Sequence, residues 1–201
     1  MLEQRQEVLN TLDPHQGLLN DREISFLCQE TDLPMLDPFI PEQRGKPSYG
    51  LGSMGYDLRL GQNFLVHKPH RTGILDPLNV PSDLFEKVVR EDFFILQPHS
   101  QVLAETIERF NMPDDILAIV LGKSTYARLA LLVNATPIEP GWVNSILTLE
   151  LANLSPLPIK MYVGQGIAQA LFFKGNRPLR AYDEKESGGQ YQNQPGVMLP
   201  Q

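Results

Sequence analysis

The stretch GKSTYARLALLVNATPIEPGW, residues 122–142, opens on four letters that can also end a phosphate-binding P-loop. A P-loop has the form G-x-x-x-x-G-K-[ST] and sits between a strand and a long helix. Its first glycine would stand at position 117, which is Leu117, and the run ILAIVL before Gly122 offers no glycine-rich loop. The Walker reading therefore fails. What remains is a strand ending at Gly122, the polar trio Lys123, Ser124 and Thr125, and a helical turn expected over 126–129. Free backbone N–H groups at the start of such a turn, with an ammonium and two hydroxyls, suit phosphate oxygens. A solvated turn with a capping serine accounts for the same letters equally well. Arg128 follows Ser124 by four residues, so a helical turn places both on one side; an ordinary surface arginine is the plain alternative.

Outward from this stretch the chain reads as short runs divided by turn residues. Expected strands cover 56–60, 63–67, 93–96, 101–106, 117–121, 131–134, 145–152, 159–162 and 166–173. Runs of this length, with 17 prolines and 15 glycines in 201 residues, indicate a mainly β sandwich or barrel-like fold. No long helices alternate with them, which excludes a parallel α/β sheet. Two short helices are expected first. Leu2, Val8, Leu9 and Leu12 form the apolar face of one; Asn20 and Glu23 form a capping box for the other, with Ile24, Leu27 and Cys28 at helical spacing. Residues 31–49 hold four prolines and little periodicity, so an irregular excursion is expected there. The polar tail from Lys174 contains ESGGQ at 186–190, a hinge on which it can close over a site.

Bulk properties narrow the function. A formal charge of −7 leaves no broad basic stripe for nucleic acid, although a small anion needs only local positive charge. Cys28 is the only cysteine, so no disulfide forms within the chain. No run reaches the roughly 18 apolar residues of a membrane helix, and MLEQRQEVLNTLD has no apolar signal core. The expectation is a cytoplasmic protein with no membrane or nucleic-acid partner.

Zinc chemistry is tested by spacing. Zinc nucleobase deaminases carry H-x-E with P-C-x-x-C. None of His15, His67, His70 and His99 has a glutamate two places on, one cysteine cannot supply the pair, and HExxH is missing. No zinc site is expected. GQGIAQ at 164–169 lacks the third glycine of a dinucleotide fingerprint and reads as a turn between strands. In SILTLELAN, alternation puts Leu147, Leu149 and Leu151 on one face and Ile146, Thr148 and Glu150 on the other. Glu150 points either to solvent or into a cleft, where apolar surroundings would raise its pKa and suit it to proton transfer. Glu139 lies in TPIEPGW, a loop stiffened by Pro137 and Pro140, and a solvated turn acid is its plain reading.

Taken together, these segments resemble the dCTP deaminases, relatives of the trimeric dUTPases. The resemblance runs from about Leu19 onward. It rests on NDREI, SYGLGSMGYDLRLG, LGKSTYARLALLVNATPIEPGW, LTLELAN, PLPIKMYVGQGIAQALFF and GGQYQNQPGV in that order. It implies a distorted, jelly-roll-like β barrel of dUTPase type, assembled as a homotrimer with active sites between subunits. Residues 1–18 then form an extension, 19–173 the deaminase-like domain, and 174–201 its C-terminal lid.

The resemblance also implies roles. Lys123, Ser124, Thr125, Tyr126, Ala127 and Arg128 fall in the phosphate-binding and catalytic segment. Glu139 approaches the deoxyribose, and Thr148 with the adjoining backbone of Leu149 reads the cytosine edge. Glu150 matches the catalytic glutamate, while Tyr182, Gln190 and Gln194 stand at tail positions that contact nucleotide. Ser124 positions the attacking water, Arg128 stabilises charge, and Mg²⁺ accompanies the triphosphate of dCTP. dTTP is an implied feedback inhibitor. Gln190 departs from the usual lysine and removes one positive charge, which either weakens phosphate binding or shifts the burden to Lys123, Lys185 or Arg180. A bifunctional enzyme that carries dUTP on to dUMP, and a non-catalytic nucleotide-sensing trimer, are the rival readings.

Overall fold

The computed structural model describes residues 16–68, 74–81, 83–185 and 189–199. The first expected helix and residues 186–188 of the expected tail hinge lie outside the described residues. The second helix, α1 (Asp21–Gln29), starts as its sequence indicates. Asn20 Oδ1 accepts from the Glu23 N–H at 3.1 Å, and Glu23 Oε2 accepts from the Asn20 N–H at 2.9 Å. Its apolar side buries Ile24 and Cys28.

Everything else of size is antiparallel sheet. β1 (Gly17–Leu18), β2 (Leu36–Asp37) and β3 (Gly50–Gly52) are brief pairings that tie the N-terminal third down. The main strands are β4 (Gly55–His67), β5 (Phe85–Val89), β6 (Phe93–Leu96), β7 (Gln101–Phe110), β8 (Ile116–Gly122), β9 (Leu131–Asn134), β10 (Ser145–Asn153), β11 (Ile159–Tyr162) and β12 (Gly166–Lys174). A single helical turn, α2 (Ser124–Ala127), separates β8 from β9. The order is β1-β12-β4-β7-β10-β9, with β8 on β12, β3 and β5 on β4, and β2 on β7; β6 and β11 pair separately. The mainly β expectation holds.

Two expected strands, 56–60 and 63–67, are one. Gly61 is no turn: a Cβ there would stand 2.5 Å from Glu105 Cγ on β7, so glycine serves close strand approach. β4 instead changes partners along its length. Arg59 still faces Gly166 of β12, whereas Leu60 already faces Thr106 of β7, and the register shifts between Leu60 and Phe64. β5 was not anticipated, because FEKVV is polar and largely exposed. The turn expected in GQGIAQ falls on Gly164 and Gln165, while 166–169 already belong to β12. Gly164 holds φ +77° in the turn, and a Cβ on Gly166 would overlap the Ser48 carbonyl.

The core follows the period of two. Leu147, Leu149 and Leu151 are buried on β10, with Tyr56, Phe64, Phe110 and Phe172 beside them in one cluster. Among them sits a charged pair. Glu108, fully buried, accepts from Arg59 Nε at 2.7 Å and from the Arg59 backbone N–H at 2.9 Å. Burial pushes the Glu108 carboxyl upward, and Arg59 opposes that shift. Removing the guanidinium alone leaves a buried carboxylate uncompensated. Arg59→Met should therefore cost about 3 kcal/mol in urea unfolding, and adding Glu108→Leu should recover only part of it, because leucine also removes the acceptor of the residue 59 N–H. A single-variant loss below about 1 kcal/mol would show that the pair contributes little.

Candidate active site

β10 and the C-terminal tail together enclose a cavity of about 870 Å³. Glu139, Thr148, Glu150, Tyr182, Gln190 and Gln194, all singled out in the sequence, line it. Each arrives by a different route. Thr148 and Glu150 are alternate residues of β10 and share its outer face. Leu149 between them is core, so its backbone rather than its side chain is available to a ligand. Glu139 precedes Trp142 in the proline-stiffened loop, and Tyr182 begins a 3₁₀ turn at Tyr182–Glu184.

Glu150 is the chemically distinctive group. Among the described residues its Oε2 is the one buried side-chain oxygen or nitrogen without a hydrogen-bond partner. Burial pushes its carboxyl pKa above the ordinary glutamate value, against a smaller opposing hydrogen bond with its own backbone. The cleft alternative, not the solvent-facing one, is realised. A half-buried carboxyl with a raised pKa and a free oxygen suits proton exchange with a reacting molecule.

The neighbouring groups are engaged. Glu139 accepts from Lys185 Nζ through both carboxylate oxygens, at 2.8 and 2.6 Å, and that ammonium lies 4.7 Å from the Tyr182 ring centre. Gln194, 4% exposed, donates from Nε2 to Thr148 Oγ1 at 2.6 Å. The tail is fastened further by Trp142 Nε1 donating to the Tyr191 carbonyl at 2.8 Å and by Tyr191 N–H donating to the Tyr182 hydroxyl at 3.0 Å.

None of residues 123–128 lines this cavity. Lys123 stands at the N-cap of α2, which no side chain caps, so a capping serine is not what GKST supplies. The turn starts two residues earlier than expected because the Lys123 carbonyl accepts from both Tyr126 and Ala127 N–H. Lys123 Nζ donates to Asp57 Oδ2 at 2.5 Å; both side chains are largely buried. Ser124, Thr125, Ala127 and Arg128 are exposed, and Tyr126 is buried with its hydroxyl accepting from the Tyr162 N–H at 3.3 Å. One subunit thus carries both halves of the expected site without joining them.

Sequence reasoning missed Asp57 and Glu105. Both are acids inside strands whose two faces are buried, a signal present in GYDLRLG and VLAETIERF but easily passed over beside the glycines. No cluster of three or more His, Cys, Asp or Glu among the described residues is placed to hold a metal. No helix among them is long and apolar enough to cross a membrane.

Comparison with known proteins gives a consistent family. A profile described as dCTP deaminase-like matches residues 18–175. The dCTP deaminase of Herpetosiphon aurantiacus is 44% identical over 183 residues, covering 90% of this chain and 96% of that protein. The dCTP deaminase of Campylobacter concisus is 46% identical over 189 residues, covering 92% and 97%. Among solved structures, 2′-deoxycytidine 5′-triphosphate deaminase from Agrobacterium tumefaciens superposes with a TM-score of 0.60 at 18% identity. The match covers 82% of this chain and 50% of that one, and it carries the fold alone. The chain belongs to the dCTP deaminase-like family.

The raised pKa of Glu150 has a sign that can be tested. A carboxyl that binds its proton more tightly when folded destabilises the fold as pH rises through and above the ordinary carboxylate range. Glu150→Gln should match the parent in stability near pH 4 and exceed it at pH 8, measured by urea unfolding. Equal stability at both pH values would place Glu150 in an unstrained environment.

Proposed function

We propose, from membership of the dCTP deaminase-like family, that this protein converts dCTP and water to dUTP and ammonia. The observation that carries the reading is Glu150, a cavity-lining carboxyl with a raised pKa and an unpartnered oxygen. Glu150 takes a proton from water as the water oxygen bonds to cytosine C4. That proton passes to N3 as C4 becomes tetrahedral; the second proton of the former water then moves to the amine, and the C4–N4 bond breaks to leave a carbonyl at C4 and ammonia. Thr148 and the backbone of Leu149 read the base edge, Glu139 approaches the deoxyribose, and Tyr182, Gln190 and Gln194 close over the nucleotide. Lys123, Ser124, Thr125, Tyr126, Ala127 and Arg128 form the phosphate-binding and catalytic segment, with Ser124 placing the water and Arg128 stabilising charge.

The separation of these two halves within one subunit favours a homotrimer whose sites lie between copies. Exposed Leu121, Leu129 and Leu132 on and beside the segment 121–132 suit that contact. Mg²⁺ bound to the triphosphate oxygens would reduce its charge. A cytoplasmic location and inhibition by dTTP accompany this reading.

Two experiments test it. Incubation with dCTP and Mg²⁺, followed by ion-exchange chromatography, should show dUTP accumulating. Direct release of dUMP and pyrophosphate would make the enzyme bifunctional, and binding without turnover would make it a sensor. In the same assay Glu150→Gln should lose at least about 10²-fold in kcat. The second experiment mixes inactive Glu150→Gln and Arg128→Ala subunits after denaturation. Random reassembly into a cyclic trimer with sites between copies restores roughly a quarter of parental activity. No recovery would confine each site to one subunit.

A further inference from the structure

The tail does more than lie against β10. Thr148 on β10 and Glu105 on β7 are directly opposed in the ladder. They receive consecutive tail amides: Val197 N–H donates to Glu105 Oε2 at 3.0 Å, and Met198 N–H donates to Thr148 Oγ1 at 3.3 Å. Glu105 is only 7% exposed, and its other oxygen accepts from Asn63 Nδ2 at 2.5 Å. Its stem lies against Gly61, so the side chain is held from below by β4. The tail is shaped to meet it. A Cβ on Gly196 would stand 2.7 Å from Glu105 Oε2, so glycine there lets the backbone reach the carboxylate. Met198 and Leu199, just beyond this contact, line the cavity.

We propose that Glu105 is the latch of the C-terminal tail: a positioning residue that holds 196–198 against the cavity and thereby sets substrate affinity. It touches no reacting atom. Its carboxylate offers a charged acceptor to a backbone N–H, a stronger hold than a neutral side chain gives, and Asn63 and Gly61 fix where that acceptor sits. The affinity half of this inference rests on the dCTP reading; the latch itself does not.

The test uses the full-length chain and reads backbone amide exchange as well as kinetics. In Glu105→Ala, exchange at Val197 and Met198 should quicken about tenfold, the loss expected for one hydrogen bond to a charged group. Amides of the core strand around Leu149 should keep parental rates, which separates tail release from general loosening. Glu105→Gln should quicken exchange less than Glu105→Ala, because its uncharged amide oxygen still accepts from Val197 while Asn63 turns its own oxygen toward the new NH₂. Gly196→Ala should free the tail in the parent yet add nothing in the Glu105→Ala background, since its Cβ then meets empty space. Unchanged tail exchange in Glu105→Ala, or additive effects of the two substitutions, would overturn the latch. The KM for dCTP should rise about tenfold in Glu105→Ala with kcat affected less. Faster exchange with unchanged KM would overturn the link to affinity. A parent protein that does not turn dCTP over would overturn the proposed activity and leave the exchange result to judge the latch.

Discussion

The architecture depends on how Glu108 meets Arg59. Arg59 is where β4 leaves the ladder with β12 and passes to β7, and a backbone N–H at such a crossing needs an acceptor. Glu108 Oε2 provides it, and the guanidinium of the same residue balances the charge that has been buried. Next to this point the Thr106 hydroxyl donates to the Glu108 carbonyl and accepts from the Leu147 N–H. That second bond falls where β10 slips register between Ile146 and Thr148. Thr106 therefore ties the crossing of β4 to the point where β10 changes phase. With the phase set, Thr148 and Glu150 share the cavity face while Leu149 fills the core; a shift of one residue would exchange them.

How much of this could be read beforehand depends on the range of the signal. The strands at 93–96, 131–134 and 159–162 have the bounds their alternation indicates, because each is a short local run between turn residues. The Asn20–Glu23 capping box is local too. β5 escaped because an exposed edge strand with Glu86 and Lys87 shows little apolar period, and β1, β2 and β3 are too short to show any. The placement of Thr148 and Glu150 on one face was legible for the same local reason. The partners that define the site were not. Lys123 finds Asp57 66 residues away, Lys185 finds Glu139 46 away, and Val197 finds Glu105 92 away. Only the assembled sheet brings such groups together, and Gly61 shows how the local signal misleads. It reads as a break until β7 is in place beside it.

Charge raises a narrower question. A chain of net charge −7 that takes a triphosphate must offer cations locally. Yet Lys123 is held by Asp57 and Lys185 by Glu139. These pairs differ. The Lys123–Asp57 contact is buried, with Gln43 Nε2 also donating to Asp57 Oδ2 at 2.9 Å, so moving the ammonium would strand a carboxylate. The Lys185–Glu139 contact is well exposed on both sides, and such pairs are weak enough for a polyanion to compete. Of the two, Lys185 is the ammonium that a polyanion would draw away more readily. Arg128 is exposed and makes no ion pair among the described residues.

The outer face of β10 divides its work between two side chains set one residue apart. Thr148 accepts from both Gln194 and Met198, so the tail fixes the position of its hydroxyl oxygen within the subunit. Glu150 is the opposite case. An unpartnered buried oxygen costs on the order of 1–3 kcal/mol, and nothing inside the subunit relieves it. A fold under selection for stability alone would supply a donor or exchange the glutamate for leucine, since Leu147, Leu149 and Leu151 already surround it in sequence. Retention of an acid there makes sense if the missing donor is brought by water and substrate. The same burial that raises its pKa then becomes affinity for a proton at the moment one has to be moved.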